Sequence, residues 1–270
     1  MRSLNCSVQV PRGKLLDNYA SEPSQSRFEI NGVSLTVPSM SSTKSVSNGL
    51  WAVVPVKSLE NVKTRLASVL SLSERQQLFR AMLQDVLQTL SESRELAGLL
   101  VVTRDEEAAS IARDYGARIL AEKESLGHTA ASTLGAQTLA REKKTGMLQV
   151  PADIPLVSPA DIATLVKVHG TAPAITLSPS RDRTGSNAVL CSPADILPLQ
   201  FGDYSFPPHV KKSQELGIEP VVVDRPGLGL DIDTPDDLVA LLRAPSQTRS
   251  YRYLLASGIG RRLLDDAVAH

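Results

Sequence analysis

From Leu50 onward, short apolar runs alternate with stretches whose apolar residues recur at helical spacing, and no other feature constrains the fold as much. "LWAVVPV" reads as a buried strand. "SERQQLFRAMLQDVLQTL" puts Leu78, Phe79, Met82, Leu83, Val86, Leu87 and Leu90 on one helical face, with Ser73 and Gln76 as a capping-box pattern at its start. "LAGLLVVT" is a second strand, "DEEAASIARDYG" a helix ending at Gly116, and "ARIL" a short strand. "HTAASTLGAQTLARE" reads as a helix, "MLQV" as a strand, and "SPADIATLVKVHG" as a helix capped by Ser158, with Pro159 in its first turn and Gly170 closing it. Such alternation implies crossover units and a largely parallel sheet with helices on both faces. Later the pattern loosens: "AITLSP", "NAVLCS" and "EPVVVD" look like strands in a more mixed region, and residues 209–217 like a helix.

Residues 1–49 have a different character. "PSMSSTKSVSNG" is Ser-rich and aperiodic and reads as a flexible extension, with Met40 an alternative start. Within it, Asn31-Gly32 between short alternating runs is a hairpin signal. The 270 residues, 42% of them hydrophobic, suit one large domain or two small ones. No apolar run approaches the roughly eighteen residues that span a bilayer, so no membrane role is expected. The start lacks an apolar h-region, and Cys6 and Cys191 form neither a disulfide framework nor a zinc motif; a cytoplasmic location is the expectation. A formal net charge of zero gives no footprint for nucleic acid, and four scattered histidines give no metal-ligand pattern.

Open sheets of this kind bind ligands beyond the carboxyl ends of their strands. Four carboxylates crowd the stretch "GLGLDIDTPDDL". Thr234 before Pro235 is a helix start, and Asp236 and Asp237 suit the positive end of that helix. Asp231 and Asp233 precede it, after an apolar stretch ending at Leu230, and two residues apart in extended chain they point the same way. They are either an exposed acidic turn or oxygen ligands of the kind magnesium takes, and Asp153 just past "MLQV" is either a third such ligand or a loop residue. Lys57, Lys63 and Arg65 crowd the loop after the first strand, where they suit a polyphosphate or form a solvated basic loop; there is no P-loop and no dinucleotide fingerprint. "SPSRDRTGSNAV" offers Arg181, Arg183, Gly185, Ser186 and Asn187 for an anion. "FGDYSFPPH" offers Gly202, Ser205 and His209, the histidine being as well suited to holding loops together as to touching substrate.

The stretches "VPVK", "VKTRLA", "SERQQLFRAMLQDVL", "VVTRD", "PADIPL", "PSRDRTGSNAVL", "FGDYSF" and "LDIDTPDDL", in this order and spacing over about residues 50–243, resemble the guanylyltransferases that act on small phosphorylated three-carbon acids in coenzyme F-420 biosynthesis. The resemblance implies a single nucleotidyltransferase domain of the glycosyltransferase-A, Rossmann-like type, with a mixed, mostly parallel sheet. Its partners would be GTP and the phospho-acid. It implies magnesium at Asp153, Asp231 and Asp233, and nucleotide contacts from Lys57, Lys63, Arg65, Glu122 and Gly127, with guanine near residues 122–132. Lys57, Arg65 and Asp153 would carry catalysis, and Arg181, Ser186, Asn187, Gly202 and Ser205 would hold the acid. Two positions depart from the family: Ser186 replaces a usual Thr, and "SLGHTA" replaces a usual Gly-Leu-Asn. The smaller Ser186, with Cys191 nearby, favours 3-phospho-D-glycerate over 2-phospho-L-lactate or phosphoenolpyruvate. The tail, 244–270, reads as amphipathic helix that could serve a homodimer or cover the sheet. Molybdopterin or sugar-phosphate nucleotidyltransferases would show a Gly-rich first loop, and a non-catalytic nucleotide-binding protein would have lost an acid or the basic loop.

Overall fold

The computed structural model describes residues 26–30, 33–37, 49–122 and 127–268. The chain divides into two units, residues 1–45 and residues 46–270. In the first, β1 (Ser26–Ile30) and β2 (Val33–Val37) pair antiparallel with Ile30 opposite Val33. That is the register of a two-residue hairpin connection, as the Asn-Gly signal predicts; the turn residues and the rest of the predicted extension lie outside the described residues.

The second unit is a seven-stranded sheet. In chain order it contains β3 (Leu50–Pro55), a 3-10 turn (Thr64–Leu66), α1 (Leu72–Glu92), β4 (Gly98–Thr103), α2 (Glu106–Asp114), β5 (Arg118–Ala121), α3 (His128–Arg141), β6 (Gly146–Gln149), α4 (Pro159–Val168), β7 (Ala174–Pro179) and β8 (Ser186–Ser192). There follow α5 (Phe206–Glu215), β9 (Val221–Val222), α6 (Pro226–Gly229), α7 (Pro235–Leu242), α8 (Arg249–Ala256) and α9 (Ile259–Val268). The strand order is β5-β4-β3-β6-β8-β7-β9. All neighbours run parallel except β8, which is antiparallel to both β6 and β7. That one reversed strand makes the sheet mixed, and it brings the amino end of β8, Ser186 and Asn187, to the edge where its neighbours have their carboxyl ends.

Strand side chains alternate between two cores. Ala52, Val54, Leu99, Val101, Leu148, Ala188 and Leu190 face α1, α2, α4, α7, α8 and α9. Trp51, Val53, Leu100, Val102, Met147, Val189 and Cys191 face α3 and α5. The predicted apolar face of α1 is buried along its whole length. Each fully buried leucine or valine contributes about 1.5–3 kcal/mol, so packing holds this helix more than its propensity does. On the other face α3 lies close to the sheet: a Cβ at Gly135 would sit 2.7 Å from a methyl of Val53. That close approach brings the start of α3 against the ligand-binding edge.

Sequence and structure differ at several ends. The cap of α1 is Ser71 with Glu74, not Ser73 with Gln76: Ser71 N–H donates to Glu74 at 2.7 Å and the Ser71 hydroxyl accepts from Glu74 N–H. A carboxylate suits the positive helix end better than an amide does, and Gln76 instead donates to Glu60 O. The helix α4 closes on His169 before it reaches Gly170. The strand expected at "EPVVVD" is two residues long, and α5 begins three residues before His209. The tail is helical and stacks outside α1: Asp85, in the middle of α1, accepts from Arg249 N–H, Ser250 N–H and the Ser250 hydroxyl, and so caps α8. Leu254, Ile259 and Leu263 join the α1 core. No helix among the described residues is long and apolar enough to cross a membrane.

Candidate active site

A cavity of about 1020 Å³ opens at the carboxyl ends of the parallel strands. Lys57, Lys63, Arg65, Gly127, Asp153, Arg181, Ser186, Asn187, Gly202, Ser205, Asp231 and Asp233 all line it. Glu122 does not; its backbone follows Thr103 at the end of the sheet, and burial raises its carboxyl above the usual range. Ser132, at the far end of the expected guanine segment, is fully buried.

One wall of the cavity is charged. Lys63 leads the 3-10 turn in a left-handed conformation, φ 52°. Non-glycine residues adopt this only when their surroundings impose it; here the buried Arg75 donates to Val62 O and Lys63 O. The held ammonium binds Asp153, and Asp233 at 2.7 Å. Burial works against that charge, but the two carboxylates outweigh it and raise the lysine above its ordinary range. Burial likewise opposes the charge on Asp233, yet Lys63 and Arg65 hold its carboxyl below the usual range.

Asp231 is different: burial pushes its carboxyl up, against a hydrogen bond from Asn187 and with the charges of Asp153 and Asp233 adding to the burial effect. The two acidic segments are tied by Ile232 N–H to Asp153 O, 3.0 Å. The stretch before Asp231 is the short helix α6, not a strand. Gly227 lets that helix dock, since a Cβ there would meet Asp161 at 2.4 Å.

Asp236 and Asp237 divide from this pair as the sequence predicts. Thr234 caps α7, and Asp237 completes the capping box while accepting from the N–H of Asp233.

The wall around Ser186 and Ser205 is built from neutral groups, with the exposed Asp203 of the same loop turned to Arg65 at 2.7 Å. The Ser186 hydroxyl lies 2.9 Å from His209 Nδ1, and Ser186 N–H donates to the Ser205 hydroxyl at 2.9 Å. Gln200 N–H donates to His209 Nε2 at 3.0 Å. His209 is fully buried, and burial pushes its imidazole down to about 4. Thr129, at the start of α3, accepts from Phe201 N–H at 2.8 Å, and Phe201 packs between the rings of His128 and His209.

Three residues take up roles other than those their sequence context suggests. Asn187 turns its amide hydrogens to Leu228 O and Asp231, so it holds an acid in place. Arg183 points away to Asp224, with two contacts at 2.8 and 2.9 Å, while Arg181 stays at the cavity and reaches Asp237. Cys191 is wholly buried among the α3-side residues, its thiol pushed up to about 12, and does not shape the cavity. Thr129 and Asp203, which respectively tie the 201–205 loop to α3 and to Arg65, are not singled out by the sequence. Both lie inside quoted stretches, Thr129 in "SLGHTA" and Asp203 in "FGDYSF", but their partners, Phe201 and Arg65, are 72 and 138 residues away in the chain and only the topology brings them together.

The oxygen-only donors Asp153, Asp231 and Asp233 match the chemistry of magnesium, and the unfavourable burial of Asp231 beside two other carboxylates would be relieved by a cation. As the side chains stand, Lys63 fills the space between two of them, and no three acids or histidines among the described residues form a ready metal group.

Residues 50–263 match the family described as "Guanylyl transferase CofC like". The chain is 38% identical over 192 residues to a phosphoenolpyruvate guanylyltransferase of Rubrobacter xylanophilus, covering 71% of this chain and 93% of that protein. It is 35% identical to a 3-phospho-D-glycerate guanylyltransferase of Colwellia psychrerythraea (72% and 92% covered) and 32% identical to a 2-phospho-L-lactate guanylyltransferase of Methanothermobacter thermautotrophicus (75% and 89% covered). A nucleotide-diphospho-sugar transferase structure from Desulfovibrio desulfuricans superposes with TM-score 0.65 at 18% identity, covering 80% of this chain and 98% of that one, which shows the shared fold. The cavity, the sheet that frames it and these relatives agree: the chain is a nucleotidyltransferase and belongs to the CofC-like guanylyltransferase family.

Proposed function

We propose that this enzyme transfers GMP from GTP to the phosphate of a three-carbon phospho-acid, releasing pyrophosphate, as a step of coenzyme F-420 biosynthesis. The observation that carries the reading is the meeting of a cationic loop, three carboxylates and a hydroxyl-lined loop in one cavity. A phosphate oxygen of the acid attacks the α-phosphorus of GTP. The bond from that phosphorus to the bridging oxygen breaks, and the electron pair leaves with pyrophosphate. The nucleophile is already an anion at neutral pH, so no strong general base is needed, and His209, buried behind Ser186, is not placed to be one. Positioning and charge neutralisation supply the rate.

Lys57 and Arg65 face the triphosphate, and Lys63 balances Asp153 and Asp233. Magnesium at Asp153, Asp231 and Asp233 would neutralise the charge of the departing phosphates. Asn187 keeps Asp231 turned to the cavity. Arg181, Ser186, Gly202 and Ser205 take the acid, and the start of α3, Gly127 to Thr129, lies on the nucleotide side. Ser186 is one methyl smaller than the usual threonine and favours the longest of the three acids, 3-phospho-D-glycerate; Cys191 adds nothing to that argument, being buried away from the cavity.

The test is pyrophosphate release with GTP and magnesium, each of the three acids supplied separately. Release with one acid far above the others names the substrate. GTP binding without release for any acid overturns the reading.

A further inference from the structure

His209 has no contact with the reacting groups in the chemistry above, yet it is fully buried directly behind a substrate-facing hydroxyl. Its two ring nitrogens have different partners. Gln200 N–H points at Nε2 from 3.0 Å, and a backbone amide can only donate. Nε2 must therefore be the bare nitrogen, because a proton there would set two donors face to face. In a neutral imidazole the proton then sits on Nδ1, and Nδ1–H donates to the Ser186 oxygen 2.9 Å away. The Ser186 hydroxyl, having accepted, has its own proton left to give. Among the described residues it has no second protein partner, and the cavity is what it borders. Beside it the Ser205 oxygen accepts from Ser186 N–H, which leaves that hydroxyl proton free as well.

We propose that His209 is a positioning residue which, through its fixed tautomer, turns Ser186 into an obligate hydrogen-bond donor toward an anionic oxygen of the acid substrate. The inference rests on the acid-binding role proposed above for Ser186. It adds direction to that role. With the opposite tautomer Ser186 would spend its proton on the ring and offer the substrate only lone pairs, which repel a carboxylate or phosphate oxygen. The arrangement also spares the site a buried positive charge, since the ring that sets the direction is itself neutral.

Two substitutions separate this role from simple loop support. His209→Asn can keep a donor near the Nδ1 position and loses the acceptor for Gln200. His209→Gln can keep an acceptor near the Nε2 position and loses the donor to Ser186. With GTP, magnesium and each of the three acids, His209→Gln is expected to raise KM for the acid about 10- to 100-fold, the scale of one charge-assisted hydrogen bond. KM for GTP should stay within about 2-fold, since no nucleotide contact is touched. His209→Asn should restore most of the acid KM, and Ser186→Ala with His209→Gln should be no worse than Ser186→Ala alone.

The reverse ranking of Gln and Asn, parallel loss of both KM values, or an additive double variant would overturn the proposal. Nitrogen-15 NMR of the ring reads the tautomer without any substrate: protonated Nδ1 and bare Nε2 support it, and protonated Nε2 refutes it. If the wild-type protein releases no pyrophosphate with any of the three acids, the proposed function falls and the proposal falls with it, whatever the tautomer. If it does turn over an acid, failure of the His209 variants to behave as stated overturns the proposal alone.

Discussion

One wall of the cavity is made of charge and the other of neutral hydroxyls, and the two are stiffened in different ways. On the charged wall Lys63, its side chain 6% exposed, lies between two carboxylates. Lys63 is dry but Asp233 is 40% exposed, so water screens part of the attraction, and the desolvation of the lysine offsets much of the rest. On the neutral wall the groups are a buried imidazole, two serines and backbone amides, each bond worth about 1 kcal/mol. A wall of charge suits the part of a reaction where charge is large and changing. A wall of neutral donors suits discrimination among small acids that differ in the place of the phosphate or by one hydroxyl, because a missing partner there leaves a buried polar group unpaired.

The sharpest way to break this comparison is to remove an acid. Asp231→Asn or Asp153→Ala should lower pyrophosphate release by at least about 100-fold, whereas Ser186→Ala should act mainly on KM for the acid. Turnover of the aspartate variants at the wild-type level would abolish the distinction.

The two walls should also respond differently to acid. His209 titrates at about 4 in the folded protein, held down by burial and by the charge of Lys212, against an ordinary value of 6.5. Below pH 6.5 the unfolded chain takes up a proton that the folded chain refuses, so stability falls as pH drops from about 6.5 to about 4 and levels off below. The contribution is on the order of 3 kcal/mol. Urea titrations across that range should show the loss, and His209→Asn should remove its share, leaving that of His128, whose imidazole burial also pushes down to about 4.

Lys63→Met should cost about 1–3 kcal/mol without magnesium, since Asp153 and Asp233 are then left near each other without their shared cation. Added magnesium should recover part of the melting temperature. A variant melting like wild type in both conditions would show that Lys63 is not holding the acids together. The smallest effect belongs far from either wall. Asp85→Ala removes three hydrogen bonds to the start of α8 and should destabilise the fold by about 1–2 kcal/mol, with KM for GTP and for the acid unchanged.

The charged wall is the easier of the two to read from sequence. Asp153, Asp231, Asp233, Lys57, Lys63 and Arg65 stand out as charges at strand ends, and the strand–helix alternation supplies those ends. The cap at Thr234 with Asp237 is equally legible, because capping is a local matter of three residues. The neutral wall is only half legible. Ser186 and His209 are 23 residues apart in the chain and come together because β8 runs against its neighbours. Nothing in local periodicity announces that reversal.

The same limit explains Asn187 and Arg183, whose partners Asp231 and Asp224 lie far along the chain. Their types suit an anion, but which polar group a side chain meets is decided by tertiary packing. Cys191 lies away from the cavity for a simpler reason: alternation along β8 sends it into the α3-side core.

Guanylyl transfer to a phosphate is the central claim, and its most direct test is the identity of the product. The protein would be incubated with GTP, magnesium and each acid, and the products read by phosphorus NMR and mass spectrometry. The expected product is a guanosine diphosphate-linked acid, its two phosphorus atoms coupled through one bridging oxygen, formed in equal amount with pyrophosphate. GTP left intact with all three acids, or GMP and pyrophosphate formed with no linked acid, would contradict the claim.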